Sequence, residues 1–317
     1  MITTVTLNPC IDKTIEVEAL LRGGTNKVIN TRNDISGKGI NVNIVLQHLG
    51  VKNTAIGFNY GDDSTKFLGF LNELGCEHSF VEVKGTLRTN VKIFEHDTSM
   101  MSEFNEKGGE VSTEDIDHFM EILEKQLEES TILVVNGSVP PGVPVDIYKR
   151  MIEIGNKKSV KVIMDASGSL LQEGIKAKPF LIKPNEEELS LTYNRKLNSL
   201  DDVVELARKV VKEGVHYVCV SRGSSGAIFV TESTTYVAAP LSLEVKGVQG
   251  AGDSMVAGFC YALQQGMDDE TIFRHGVACA SASLLHPGTQ LCSKQEMEEL
   301  LPRIMIKKYE KESESCH

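Results

Sequence analysis

Short runs of apolar, largely β-branched residues alternate with stretches of helical periodicity along most of this chain. Residues 2–7, 54–58, 132–135, 160–164, 180–182 and 217–220 read as strands, several of them apolar without a polar alternate, the mark of strands covered on both faces. Between them, residues 42–49, 66–74, 114–127, 145–154 and 200–211 place apolar side chains at helical spacing. Strand, helix and strand in succession predict an α/β fold: a mostly parallel sheet with helices on both faces and short right-handed connections.

Two stretches break the alternation. Residues 13–35 and 86–104 carry a polar/apolar period of two, as in Asn90-Val91-Lys92-Ile93-Phe94-Glu95. That is the pattern of an antiparallel, half-exposed sheet, so one small accessory sheet assembled from two insertions is expected. No linker or repeat divides the chain, which predicts a single domain over residues 1–303 and a polar tail over 304–317, frayed from Lys307 onward.

The composition removes several function classes. The 317 residues carry 33 Lys and Arg against 44 Asp and Glu, a net charge of −11, which gives no general reason to bind nucleic acid or an anionic membrane. Apolar runs such as Thr131-Ile132-Leu133-Val134-Val135 are far shorter than a membrane span needs, and no basic, then apolar leader opens the sequence. A cytoplasmic protein is expected. The seven cysteines are scattered without a Cys-x-x-Cys, so they read as core residues, and any metal chemistry should rest on carboxylates and a hard ion such as Mg²⁺.

The strongest local signal is Gly250-Ala251-Gly252-Asp253-Ser254, followed by one apolar helical face. Glycines at a helix start expose backbone N–H groups and the positive end of the dipole, which makes a cradle for phosphate. Asp253 either caps that helix or turns to an incoming hydroxyl and takes its proton. A Walker A loop is absent, because Gly37-Lys38 is followed by Gly39, and a Rossmann fingerprint fails because Met255 stands where its last glycine should be. An NAD-dependent enzyme is disfavoured accordingly.

Other segments gather at expected strand ends and helix starts. Gly37-Lys38-Gly39-Ile40-Asn41 could meet a polyol, or simply turn the chain into a helix. Asp12 follows the first strand, where its carboxylate could hold sugar hydroxyls. Arg88 and Asn90 could grip a phosphate, and Asn136-Gly137-Ser138 ends another strand on the ligand side. Lys183-Pro184-Asn185 with Glu188 is either an acidic first turn or a water-mediated magnesium site, with Lys183 near the transferred phosphate. Ser221, Gly223 and Gly226 lie in a flexible loop that a plain turn explains equally.

Taken in order, Thr6-Leu7-Asn8-Pro9 with Asp12, Gly37-Lys38-Gly39-Ile40-Asn41-Val42, Gly137-Ser138-Val139-Pro140, Lys183-Pro184-Asn185 with Glu188, and Gly250-Ala251-Gly252-Asp253-Ser254 resemble the ribokinase-like (PfkB) family of carbohydrate kinases, in its sugar-phosphate branch. The resemblance implies a three-layer α/β/α fold whose accessory strands form a lid. It also implies ATP and Mg²⁺, and transfer to the 6-hydroxyl of D-fructose 1-phosphate, with D-tagatose 6-phosphate the runner-up acceptor. Asp253 would then be the general base, and Gly250, Ala251 and Gly252 the anion hole. Asp12, Gly37, Lys38, Gly39, Asn41 and Ser138 would face the sugar, with Arg88 and Asn90 clamping its resident phosphate. Lys183, Asn185, Ser221, Gly223, Gly226, Gly252 and Gly288 would serve the nucleotide, with Asn185 and Glu188 ordering Mg²⁺ through water. A lid-mediated homodimer is a further family expectation. Cys10, Asn43, Asn136 and Gln249 depart from the family pattern without removing a catalytic group. A catalytically silent sugar-phosphate sensor would need Asp253 or the glycines to be lost, and both are present.

Overall fold

The computed structural model describes residues 1–288 and 290–310. The chain opens with β1 (Ile2–Thr6), then a hairpin of β2 (Cys10–Val17) and β3 (Asn30–Ser36), α1 (Lys38–His48), β4 (Asn53–Tyr60), α2 (Ser64–Glu73) and β5 (Glu77–Val83). A second hairpin, β6 (Arg88–Glu95) and β7 (Met100–Asn105), precedes α3 (Thr113–Gln126), β8 (Ile132–Asn136), α4 (Ile147–Lys157), β9 (Lys161–Asp165) and α5 (Gly168–Lys176). There follow β10 (Leu181–Ile182), α6 (Glu186–Thr192), α7 (Leu200–Lys212), β11 (Tyr217–Ser221), β12 (Ala227–Val230) and β13 (Thr235–Ala238). The chain continues with α8 (Ala251–Gln264), α9 (Asp269–Ser283), α10 (Lys294–Leu300) and β14 (Ile306–Lys308).

Ten strands form the main sheet in the order β14-β13-β12-β11-β10-β9-β8-β1-β4-β5, parallel from β11 to β5 and antiparallel from β11 to β14. Every residue of β1, β4 and β8 is buried, as their lack of polar alternation predicts. From β1 the chain moves outward through β4 to β5, crosses back through α3, and builds the other half from β8 to β11. Right-handed crossovers in opposite directions put helices on opposite faces, so α1 packs with α8, and α8 with α9, on one face while α3, α4 and α5 follow one another on the other. The reversal falls between β1 and β8, and beyond the carboxyl ends of such a strand pair an open α/β sheet forms a crevice.

The lid is a second sheet in the order β3-β2-β6-β7. Each hairpin is antiparallel inside, but β2 and β6 run parallel where the hairpins join. The wholly antiparallel sheet expected from the alternation is corrected in that respect: a period of two fixes which side chains share a face, not the direction of a partner from elsewhere in the chain. The carboxyl-terminal boundary also moves. Ile304 is buried and β14 pairs with β13, so the folded domain runs past residue 303 through the segment expected to be a polar tail. The apolar positions 304 and 306 anchor it, and residues 311–317 lie outside the described part.

Candidate active site

The crevice at the reversal is a cavity of about 790 Å³ between the sheet, the starts of α1 and α8, and the lid. Asp12, Gly37, Lys38, Asn41, Arg88, Asn90, Gly137, Ser138, Glu188, Gly250 and Asp253 all line it. Ends of β1 and β8, two helix starts and two lid strands thus converge from positions as far apart as 12 and 253.

At the start of α8, Gly250 takes the N-cap in the left-handed region, φ 71°. A Cβ there would stand 2.3 Å from Leu291 Cδ2 in addition to straining the backbone, so glycine is required. The cap has no side chain, and the carboxylate of Asp253 does not bond back to the turn. Its Oδ2 instead accepts from Asn41 Nδ2 at 2.8 Å, which ties the two helix starts together. The alternatives that the sequence leaves open are thereby separated: Asp253 is no cap, and it faces the cavity beside the unbonded first-turn N–H groups of α8. Burial pushes its carboxyl up to about 6, with Asp165 adding to the rise while Lys38, the Asn41 bond and Lys183 oppose it. A carboxylate titrating there is ionised at neutral pH and still basic enough to take a proton.

α1 is pressed onto the sheet through Gly39, where a Cβ would lie 2.2 Å from the Val5 carbonyl oxygen. That contact puts Lys38 and Asn41 at the cavity floor, and Gly39 itself supports the site from behind. In the lid, Arg88, Asn90 and Lys92 share one face of β6. Asp12 proves to be a lid residue on β2, not the end of the first strand, with both carboxylate oxygens engaged: Oδ2 accepts from Lys92 Nζ at 3.0 Å and Oδ1 from Asn90 Nδ2 at 3.0 Å. Arg88 braces the lid, donating from Nε and Nη2 to the Asn8 carbonyl at 3.2 and 3.1 Å and from Nη1 to the Glu106 carbonyl at 3.0 Å. Ser138 Oγ accepts from Asn8 Nδ2 at 3.2 Å.

The candidate nucleotide residues gather on the neighbouring rim, mostly outside the cavity lining. Lys183 is buried beyond β10, its Nζ 3.2 Å from where a Cβ on Gly252 would lie, hence beside the α8 start. Asn185 bridges to Ser221, whose N–H donates to the Pro184 carbonyl at 3.1 Å, so the Gly223 and Gly226 loop stands next to Lys183 and Asn185. Asn185 and Glu188 form a reciprocal cap on α6: Glu188 N–H donates to Asn185 Oδ1 and Asn185 N–H to Glu188 Oε2, both at 2.8 Å. The acidic-turn reading is therefore real, and it occupies one oxygen of Glu188 while the residue still lines the cavity. Gly288 lies beside Gly247, in the loop that leads into α8. It packs under Arg32 of β3, where a Cβ would collide with the guanidinium.

Two residues escaped the sequence reading. Asp165 ends β9, fully buried, with Lys38 Nζ 3.1 Å from Oδ2 and Lys183 Nζ 3.3 Å from Oδ1. Burial alone would raise its carboxyl, but Lys183 and Lys38 hold it below the ordinary value. Its position at the carboxyl end of a parallel strand was the available signal. Lys92 shares the β6 face with Arg88 and Asn90, a relation the period of two contains. Among the atypical residues, Cys10 receives a bond from Asn90 Nδ2 at 3.2 Å, and burial pushes its thiol up to about 12, which leaves it inert. Gln249 touches the lid through Met101. Asn43 and Asn136 are buried with both amide atoms unpartnered; Asn136 lines the cavity, and nothing else in the structure explains the choice of asparagine at 43.

An anion cradle at a helix start beside a raised, cavity-facing carboxylate, under a two-hairpin lid, defines a phosphotransferase acting on an alcohol. Comparison with known proteins agrees. Residues 5–296 match the model of the pfkB family carbohydrate kinases. A 1-phosphofructokinase of Bacillus subtilis is 35% identical over 96% of this chain and 99% of its own, and one of Escherichia coli is 32% identical over 97% and 98%. The structure of Escherichia coli phosphofructokinase-2 in complex with substrates and products superposes with a TM-score of 0.88 at 30% identity, covering 95% of this chain and 98% of that one. The chain belongs to the pfkB family of carbohydrate kinases.

Proposed function

We propose that this kinase transfers the γ-phosphoryl group of ATP to the 6-hydroxyl of D-fructose 1-phosphate, giving fructose 1,6-bisphosphate and ADP. The observation that carries the reading is the Asp253 carboxylate, raised toward 6 and turned from its own helix into a polar cavity beside unbonded N–H groups. The names of the relatives favour the 1-phosphorylated acceptor.

In this reading the sugar lies between Asp12, Gly37, Lys38, Asn41 and Ser138, with Arg88, Asn90 and Lys92 drawing its resident phosphate toward the lid. Asp253 accepts the proton of the 6-hydroxyl as its oxygen attacks in line. The N–H groups of Ala251, Gly252 and Asp253 receive the charge that develops on the transferred group, and Lys183 faces the same phosphoryl oxygens. Nucleotide phosphates and ribose lie along Asn185, Ser221, Gly223 and Gly226. Among the described residues no three His, Cys, Asp or Glu side chains cluster as a metal cage, so the donor set suits an ion held by phosphate and water. Glu188 and Asn185 are the residues that would hold such Mg²⁺ through water, and the ion would supply neutralisation of the polyphosphate. Lid closure keeps water from competing with the sugar.

The same reading places the enzyme in the cytoplasm, without nucleic-acid or membrane partners. Among the described residues no helix is long and apolar enough to cross a membrane. A homodimer through the lid is also proposed, because Leu21, Val28, Ile29, Met100, Met101 and Phe104 expose apolar surface there, a surface that a second copy would cover. ADP release measured across hexose monophosphates and unphosphorylated hexoses tests the function. D-fructose 1-phosphate should give the highest kcat/KM. A higher value for D-tagatose 6-phosphate would move the assignment to that acceptor, and binding without turnover would make the protein a sensor.

A further inference from the structure

Asp165 carries no role in the chemistry above, yet it is the most enclosed charge in the site. Its carboxylate is shared by two ammonium groups from different sides of the site, Lys38 from the cavity and Lys183 from the neighbouring rim. Lys38 comes from the start of α1, next to the sugar-facing Gly37 and Asn41, and runs its stem past Gly137, where a Cβ would meet it at 3.6 Å. Lys183 comes from the end of β10, on the nucleotide rim, and lies against Gly252 at the start of α8. The two contacts, 3.1 Å and 3.3 Å, use one carboxylate oxygen each.

A buried ion cluster of this kind contributes little net stability, because desolvation offsets much of the attraction. What it does is fix two long, flexible side chains whose ammonium groups would otherwise sample many positions. Asp165 and the nearby Asp253 together balance the two lysines, so an anion that arrives at either lysine competes with Asp165 for it. A phosphate that draws Lys183 toward α8 leaves the carboxylate to Lys38 alone, and the second contact tightens.

We propose that Asp165 is a positioning residue that couples the two half-sites, holding Lys38 for the sugar and Lys183 for the transferred phosphate so that filling one half strengthens the other. The proposal rests on the kinase reading. Asp165 touches neither reactant in this account.

The test is a binding cycle with a non-hydrolysable ATP analogue, titrated with and without D-fructose 1-phosphate, in the wild type, Asp165→Asn and Asp165→Glu. The wild type should bind the analogue at least about fivefold more tightly when the sugar is present. Asp165→Asn should abolish that difference and lower kcat about 10- to 100-fold, and Asp165→Glu should restore part of both. Asp165 also contributes negative charge near Asp253, so the acid limb of the pH profile moves to lower pH in Asp165→Asn on charge removal alone, and the lost coupling with its partial return in Asp165→Glu is the readout that a merely structural role would not produce. Equal coupling in Asp165→Asn overturns the proposal, as does a wild type without coupling. If Asp165→Asn fails to fold, Lys38→Met asks the same question: affinity for the analogue alone should change severalfold although Lys38 lies on the sugar side, and an unchanged affinity overturns the proposal. A wild type that shows coupling but releases no ADP refutes the kinase reading instead.

Discussion

Asp253 holds a charge in a place that costs stability, which is what separates a working carboxylate from a capping one. Its folded value of about 6 exceeds the ordinary 3.8, so between those pH values the unfolded chain loses the proton first and stability falls as pH rises. At neutral pH the cost is up to about 3 kcal/mol, taking about 1.4 kcal/mol per pH unit. Asp253→Asn keeps an acceptor for Asn41 and removes the buried charge, so it should raise the melting temperature by several degrees, about 1–3 kcal/mol, in calorimetry at pH 7. Arg88 makes a contrasting case. Its donors brace the lid on Asn8 and Glu106, so Arg88→Ala should raise KM for the sugar phosphate about tenfold or more while kcat changes little, since a resident phosphate is held in ground and transition states alike. An unchanged KM would move the phosphate clamp to Lys92 and its neighbours.

The elements differ in how far their sequences announce them. α8 was legible because glycine, glycine and a following apolar face leave few other structures, whereas the role of Asp253 was not, since a capping and a catalytic aspartate share one local sequence. Only the long-range bond from Asn41 decides between them. Asn185 and Glu188 form a cap on α6, as an acidic first turn suggests, and Glu188 also borders the cavity. Asp165 stayed hidden because its significance lies in two lysines 127 and 18 positions away, which no local pattern links. The parallel joint of β2 and β6 was likewise beyond a period of two. Gly39 is where an element's seat is decided by a single hydrogen: Gly39→Ala would drive a Cβ into the Val5 carbonyl and push α1 off β1. Thermal unfolding and sugar binding should both suffer, with a loss of about 2 kcal/mol or more. Normal stability in that variant would mean that α1 can shift without cost.

In the whole molecule, the alternation of strand and helix disclosed the layered sheet, whereas its point of reversal, and with it the location of the cavity, is set by a strand order that no local pattern carries. The carboxyl-terminal boundary was less visible, because β14 is too short and too polar to announce itself except through its pairing with β13. Assembly is a separate matter. Phe104 is 58% exposed on the lid, so Phe104→Glu should convert a lid-mediated dimer to monomer in sedimentation, and an unchanged sedimentation coefficient would place any interface elsewhere. The central claim concerns proton removal by Asp253, and the pH dependence of kcat/KM for the sugar phosphate tests it most directly. The account predicts a rate that falls about tenfold per pH unit below pH 6 in the wild type, and an Asp253→Asn enzyme slowed by several orders of magnitude that binds ATP normally and lacks that limb. An Asp253→Asn enzyme within tenfold of wild-type turnover, with the same acid limb, would contradict it.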